Sequence, residues 1–303
     1  MAHKSGFVSI IGKPNVGKST ILNSLLGEKL SIATSKPQTT RKRILGILSS
    51  DDYQIIFLDT PGILNPEYLL QKRMLEIIDH SIMDSDLLLL MIDLENDSTG
   101  SKTFEDERVQ KFLKENKFPK ILLLNKIDVS NQKTIETISE NVLSSNYFKK
   151  VIPVSALEKT NIQTVIDSIL EYLPVHPKYY PDDQLSDEHE RFFVSEIIRE
   201  KIFELYRDEI PYSTEVEIEE FSEKENRKDY IRAAIIIERD SQKPIIIGEK
   251  GLAIKKLGKL SRQSIESFLQ REVFLELFVK VKEKWRSNPG MLNRFGYKVD
   301  GSE

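Results

Sequence analysis

Gly12-Lys13-Pro14-Asn15-Val16-Gly17-Lys18-Ser19 decides how this chain is read. The stretch has the G-x-x-x-x-G-K-S spacing of a phosphate loop. The apolar run Phe7–Ile11 precedes it, and Ile21, Leu22, Leu25 and Leu26 follow on one helical face. Strand, glycine-rich loop and helix form the context in which that pattern becomes an anion site. Gly12 and Gly17 let the backbone come close to a pyrophosphate and turn its N–H groups inward. The helix beginning near Lys18 points its positive end at the same anion. Lys18 reaches the β- and γ-phosphates, and the Ser19 hydroxyl is placed to ligate magnesium. A strand-to-helix turn that binds nothing is the alternative, and the flanking pattern argues against it.

The rest of the composition narrows the field. A chain of 303 residues suggests about two domains. With 39% hydrophobic and 30% charged residues it is globular, and the net charge of -4 gives no overall sign of nucleic acid. There is no Cys, so disulfides, thiolate chemistry and cysteine metal sites are excluded, which fits a reducing cytoplasm. The longest apolar run, Leu87–Ile92, lies between Asp86 and Asp93 and reads as a buried strand, far short of a membrane span.

From the phosphate loop outward, strands and helices alternate. Strands are expected at 43–48, 53–58, 87–93, 120–124 and 151–154, with helices near 66–83, 104–116, 133–144 and 162–173. This predicts an α/β domain over 1–173, doubly wound around a mostly parallel sheet. Its ligand belongs at the carboxyl ends of the strands, where each further motif falls. Asp59-Thr60-Pro61-Gly62 follows one strand. Asp59 would hold magnesium through water, and Gly62 would offer its N–H to a γ-phosphate. Alone, that tetrapeptide reads as a tight turn. Asn125-Lys126-Ile127-Asp128 follows another strand. The Asp128 carboxylate would accept two hydrogen bonds from guanine N1–H and its 2-amino group; adenine has no such donor pair and leaves the charge unpaired. Asn125 would brace the loop and the Lys126 stem cover the base. Alone, this motif is equally a surface turn. Ser155-Ala156 would supply a backbone N–H to guanine O6, although this dipeptide is common.

In this order and spacing, GKPNVGKS, QTTR, DTPG, NKID and SA resemble the Era family, a P-loop GTPase family related to translation factors. The resemblance places Thr39-Thr40 in a mobile switch loop, with Thr40 expected to close on magnesium and the γ-phosphate. It implies a nucleotide-contacting set of Gly12 through Thr20, Asp59 through Gly62, Asn125, Lys126, Asp128, Ser155 and Ala156. Within that set Val16, Thr20, Thr60 and Pro61 carry no separate argument. Ser19, Thr40 and Asp59 would hold Mg2+; Lys18, Thr40, Gly62 and Asn15 would carry hydrolysis. Small signalling GTPases place a water-orienting Gln after the D-x-x-G glycine. Ile63 stands here, so intrinsic GTP hydrolysis is expected to be slow. Related GTPases with an apolar residue at this point use K+, and Asn15 matches the position that binds it. The alternative is that Asn15 only shapes the loop.

Residues 174–187 contain prolines at 174, 177 and 181 and no periodicity, and read as a linker. The second unit, 188–303, reads helix, two strands, Gly248-Glu249-Lys250-Gly251, long helix, strand and a short tail. This order resembles an α+β KH domain of type II, whose G-x-x-G loop clamps single-stranded RNA. A lone G-x-x-G is a weak signal, but the charge map strengthens it. Residues 182–242 hold 9 Lys+Arg against 19 Asp+Glu, a net of -10, whereas 243–298 hold 13 against 5, a net of +8. Lys250, Lys255, Lys256, Lys259 and Arg262 gather on and after the loop, as a polyanion site requires. Lys280, Lys282, Lys284 and Arg286 add a basic edge around Trp285, which either stacks a base or packs within its own domain.

The resemblance spans about residues 5–298. It implies a GTP-hydrolysing switch that binds small-subunit ribosomal RNA near its 3′ end and assists assembly of the small ribosomal subunit. It further implies a cytoplasmic monomer with no DNA partner; peripheral association with the inner membrane face stays open, with no anchor visible in the sequence. Two other readings stay open: a GTPase acting in tRNA modification, and a non-enzymatic RNA-binding scaffold with a structural nucleotide site. The intact Lys18, Ser19, Asp59 and Asp128 argue against the second.

Overall fold

The computed structural model describes residues 2–115, 117–224 and 227–298. Asn116, part of the expected 222–229 connection and the tail beyond 298 lie outside the described residues. The chain divides into two units, Met1–Pro66 with Met74–Asp187 and Glu67–Arg73 with Glu188–Glu303.

The first unit is built on six strands: β1 (Lys4–Gly12), β2 (Ile44–Ser49), β3 (Tyr53–Asp59), β4 (Leu87–Asp93), β5 (Lys120–Asn125) and β6 (Lys150–Pro153). They lie in the order β2-β3-β1-β4-β5-β6, parallel throughout except for the antiparallel edge pair β2–β3. Helices α1 (Lys18–Leu26), α2 (Leu69–Met83), α3 (Ser101–Phe104), α4 (Glu107–Glu115), α5 (Gln132–Leu143) and α6 (Ile162–Tyr172) connect them. The residues of β4 show why its run is unbroken. Leu87, Leu89 and Met91 enter one core with Leu22 of α1 and Ile169 of α6, while Leu88, Leu90 and Ile92 enter another with Ile78 of α2, Val109 of α4 and Ile138 of α5. A strand covered on both faces has no polar side to present.

One expected helix divides. In place of a single segment near 104–116, α3 and α4 are separated at Glu105-Asp106. The buried Asp97 carboxylate accepts the backbone N–H groups of Lys102 and Thr103 and so fixes a separate short turn. Asp106 Oδ1 then accepts the Arg108 N–H at the start of α4.

Residues 174–187 are held against the first unit. Gln54, fully buried on β3, accepts the N–H groups of Tyr179 and Tyr180 on Oε1 and donates from Nε2 to the Tyr180 carbonyl, at 2.8–3.0 Å. Leu185 accepts the Ile47 N–H of β2 through its carbonyl.

The second unit has a three-stranded sheet, β7 (Glu215–Ser222), β8 (Asp229–Ile237) and β9 (Val273–Val281). β7 and β8 are antiparallel; β8 and β9 are parallel, which requires the crossover that lies between them. Its helices are α7 (Glu190–Leu205), α8 (Ile210–Ser213), α9 (Lys243–Ile247), α10 (Leu252–Leu269) and α11 (Pro289–Arg294). Ile198 and Ile202 of α7 and Leu257 and Ile265 of α10 pack with Ile231, Ala233 and Ile235 on one sheet face. Trp285 does not face solvent: it is fully buried, and its indole N–H donates to the Ser213 carbonyl at 2.9 Å.

Candidate functional site

The phosphate loop follows β1, the strand flanked by β3 on one side and β4 on the other. It borders a cavity of about 750 Å³, of a size that holds a nucleotide. Lys18, Ser19, Thr20, Thr40, Gly62, Asn125, Lys126, Asp128 and Ala156 all line it, although they come from five separate segments. Lys13 and Val16 do not face it in the same way: Lys13 pairs with Asp106 at 3.5 Å, and Val16 is packed in the core.

Gly17 has φ +99°, and a Cβ there would lie 2.3 Å from Asn125 Nδ2. The gap belongs to a brace. Asn125, 3% exposed, donates from Nδ2 to the Val16 carbonyl at 2.7 Å and accepts the Ala156 N–H on Oδ1 at 3.0 Å. One side chain thus fastens the phosphate loop to the two loops expected to read a base. The Ala156 N–H expected for guanine O6 is engaged by Asn125 here.

Lys18 lies folded along the loop, its Nζ donating to the Gly12 and Lys13 carbonyls at 3.1 and 3.0 Å. Burial pulls its ammonium down to about 8, against the attraction of Asp59. Burial in turn pushes the Asp59 carboxyl up, opposed by Lys18 and by the hydroxyls of Ser19 and Ser31. The Ser19 hydroxyl donates to Asp59 Oδ2 at 2.8 Å and meets Thr40 Oγ1 at 2.8 Å. Thr39 turns elsewhere, to Thr34 and the Lys36 carbonyl. Ser19, Thr40 and Asp59 therefore converge, and Asp59 Oδ1 is buried without a hydrogen-bond partner among the described residues. Two hydroxyls and an orphaned carboxylate oxygen are a hard oxygen set of the kind Mg2+ takes.

Thr60 is fully buried and anchors its loop by donating to the Ile10 carbonyl at 2.7 Å. Gly62 lies against the phosphate loop so closely that a Cβ would meet Pro14 backbone atoms at 2.8 Å. Ile63 is 2% exposed, packed with Leu75 and Ile78, and its N–H donates to the Gly12 carbonyl. Asn15, at φ +64°, reaches across and donates from Nδ2 to the Ser35 carbonyl at 2.8 Å.

Asp128 is exposed in a short turn, Ile127–Val129, that borders the cavity. Lys126 is pinned beside it by Asp93 at 2.7 Å and Glu95 at 2.9 Å. Neither carboxylate was legible as part of the site, because each reads as the polar end of a strand. Ser31 and Asn23 were missed for a similar reason: a polar loop and a helix surface give no pattern.

In the second unit, Gly248 has φ +72°, and a Cβ there would press on Ala253 at 2.6 Å. The loop is thus tight on the start of α10. Glu249 and Lys250 are exposed at its tip, Lys250 at φ +49°. Gly251 precedes α10, on which Lys255, Lys256, Lys259 and Arg262 are exposed. Among the described residues no carboxylate pairs with the four lysines; Arg262 meets Glu266 at 4.0 Å. The second basic edge is different. Lys280 pairs with Glu219 and Arg286 with Glu238, so two of its four charges are internally balanced.

A family model described as "50S ribosome-binding GTPase" matches residues 7–126, and one described as "KH domain" matches 209–286. The chain is 45% identical to "GTPase Era" of Halothermothrix orenii, covering 98% of this chain and 100% of that protein. The chain belongs to the Era GTPase family. The Era protein of Clostridium kluyveri is 44% identical over 97% of this chain and 99% of its own. A crystal structure of Era in complex with MgGDPNP and nucleotides 1506-1542 of 16S ribosomal RNA is similar with TM-score 0.93 at 40% identity, covering 98% of this chain and all of that one. A variant of Aquifex aeolicus Era bound to GDP.AlF4- is similar to the same degree. The P-loop GTPase fold followed by a KH domain is thereby the fold of this chain as a whole.

Proposed function

We propose that this chain is a GTP-hydrolysing switch that binds single-stranded RNA near the 3′ end of small-subunit ribosomal RNA and assists maturation of that subunit. The observation that carries the reading is the Asn125 brace, which holds a phosphate loop and a guanine-reading carboxylate, Asp128, in one cavity. The exposed lysines of the Gly248–Gly251 loop and α10 supply the RNA contact, by charge and by backbone approach.

Ser19 and Thr40 would ligate Mg2+ directly and Asp59 through water. Held by these residues, Mg2+ would supply neutralising charge to the phosphates. Lys18 leaves the Gly12 and Lys13 carbonyls for those phosphates, and charge on the ligand restores its full protonation. The Gly62 N–H meets the γ-phosphate from the loop packed on Pro14. Thr40 and Gly62 sit on different loops, so a γ-phosphate that met both would couple the two loops to the state of the nucleotide. Ile63, sealed in the core, cannot orient the attacking water. Asn15, which meets the Ser35 carbonyl, would instead help hold K+, an ion that would supply positive charge to the transition state. GDP and phosphate are the products. Among the described residues no helix is long and apolar enough to cross a membrane.

Crosslinking over total cellular RNA, with a GTP analogue or GDP present, tests this function. Crosslinks concentrated at the small-subunit 3′ end and dependent on nucleotide are expected. Crosslinks confined to large-subunit RNA or tRNA, or none, would overturn it.

A further inference from the structure

Asp59 is held by a second hydroxyl, from a residue outside every motif. Ser31 lies in the loop between α1 and β2, 1% exposed, and its Oγ donates to Asp59 Oδ2 at 2.8 Å. Ser19 Oγ donates to the same oxygen at the same distance, while Oδ1 is left buried and unpartnered among the described residues. Ser31 is itself fixed. Asn23 of α1 accepts the N–H groups of Leu30 and Ser31 on Oδ1, at 2.9 and 2.8 Å, and donates from Nδ2 to the Ser31 carbonyl at 2.8 Å. Through these bonds the helix that begins with Lys18 and Ser19 also sets the place of Ser31.

We propose that Ser31 is a positioning residue for the magnesium site, fixing the Asp59 carboxylate through Oδ2 beside Ser19 and Thr40. The proposal rests on the assignment of Mg2+ to Ser19, Thr40 and Asp59. The χ2 torsion of an aspartate is broad, so a carboxylate held at one point turns easily. Without Ser31, the remaining holds on the carboxylate are Ser19 and Thr40, whose oxygens are themselves the proposed metal ligands. With Ser31, the carboxylate is held by a group that touches neither ion nor nucleotide. Supports of this kind, one shell removed, commonly set metal affinity by about ten- to a hundredfold.

The test compares full-length wild type with Ser31→Ala, each loaded with a fluorescent non-hydrolysable GTP analogue, as free Mg2+ is varied. Ser31→Ala is expected to need about tenfold more Mg2+ to retain the nucleotide. Its affinity for the analogue in EDTA is expected to match that of wild type, because Ser31 acts only through Asp59 and the ion. An unchanged Mg2+ requirement overturns the proposal. So does an equal loss of affinity with and without metal, which would make Ser31 a support of the loop alone. If retention by wild type itself does not respond to Mg2+, the magnesium assignment fails, and the role of Ser31 falls with it.

Discussion

Asn125 joins Val16 to Ala156: its amide donates to one backbone and accepts from the other, at 2.7 and 3.0 Å, while 3% exposed. Asn125→Ala would strand a carbonyl and an N–H in the interior at a cost of about 2–4 kcal/mol. Urea denaturation of the ligand-free protein checks this. GDP release should accelerate as well, since the loops that face base and phosphate lose their common fastening.

Asp128→Asn reverses half of the base-reading pattern. An amide offers one acceptor and one donor in place of two acceptors, and xanthine replaces the guanine amino group with a carbonyl. GDP affinity should fall by about a hundredfold or more, and xanthosine diphosphate affinity should rise. Competition titrations against both nucleotides decide it.

Potassium should accelerate turnover relative to sodium at equal ionic strength, and Asn15→Ala should remove the difference. Single-turnover GTP hydrolysis in the two buffers measures this. Equal wild-type rates would leave Asn15 as a shaper of the loop.

Lys250→Glu with Lys256→Glu places acids where exposed lysines stand without a carboxylate partner among the described residues. Affinity for single-stranded RNA should drop, and its dependence on log salt should flatten by roughly 0.7 for each phosphate that the variant no longer neutralises. Basal GTP hydrolysis should be unaltered. Unchanged RNA affinity would remove the loop from the interface.

Burial lowers the Lys18 ammonium from 10.5 to about 8, so between those values the native state binds fewer protons than the unfolded one. Its contribution to stability therefore rises with pH across that window and is constant below it. Ligand-free wild type should gain stability relative to Lys18→Met between pH 8 and 10.5, as followed by chemical denaturation at several pH values.

Much of the frame was legible because burial leaves marks in sequence. Leu87–Asp93 could be placed to the residue, since a strand covered on both faces must be apolar throughout and ends where charge resumes. The motif residues were legible because phosphate and base recognition demand particular groups at fixed spacing. The break between α3 and α4 was not, because it depends on where the Asp97 side chain turns, and an Asp in a polar stretch has many outlets. The basic edge at Lys280 and Arg286 was overread, since Glu219 and Glu238 meet it only after the sheet has formed. Ser31 was invisible for the converse reason: its partner lies on another strand, and a serine in a loop predicts nothing by itself.

Gly62 leaves a lesson about tolerance. The space beside it ends 2.8 Å from where a first side-chain carbon would begin, and the obstruction is Pro14 backbone, which cannot swing aside. No amino acid is smaller than the one already there. Every missense change at this position therefore errs in the same direction, wedging the loop away from Pro14, and an alanine differs from a tryptophan only in degree. Most sites of this chain have a near neighbour in chemical space through which drift can pass. This one is a dead end, where what the loop requires is an absence of atoms.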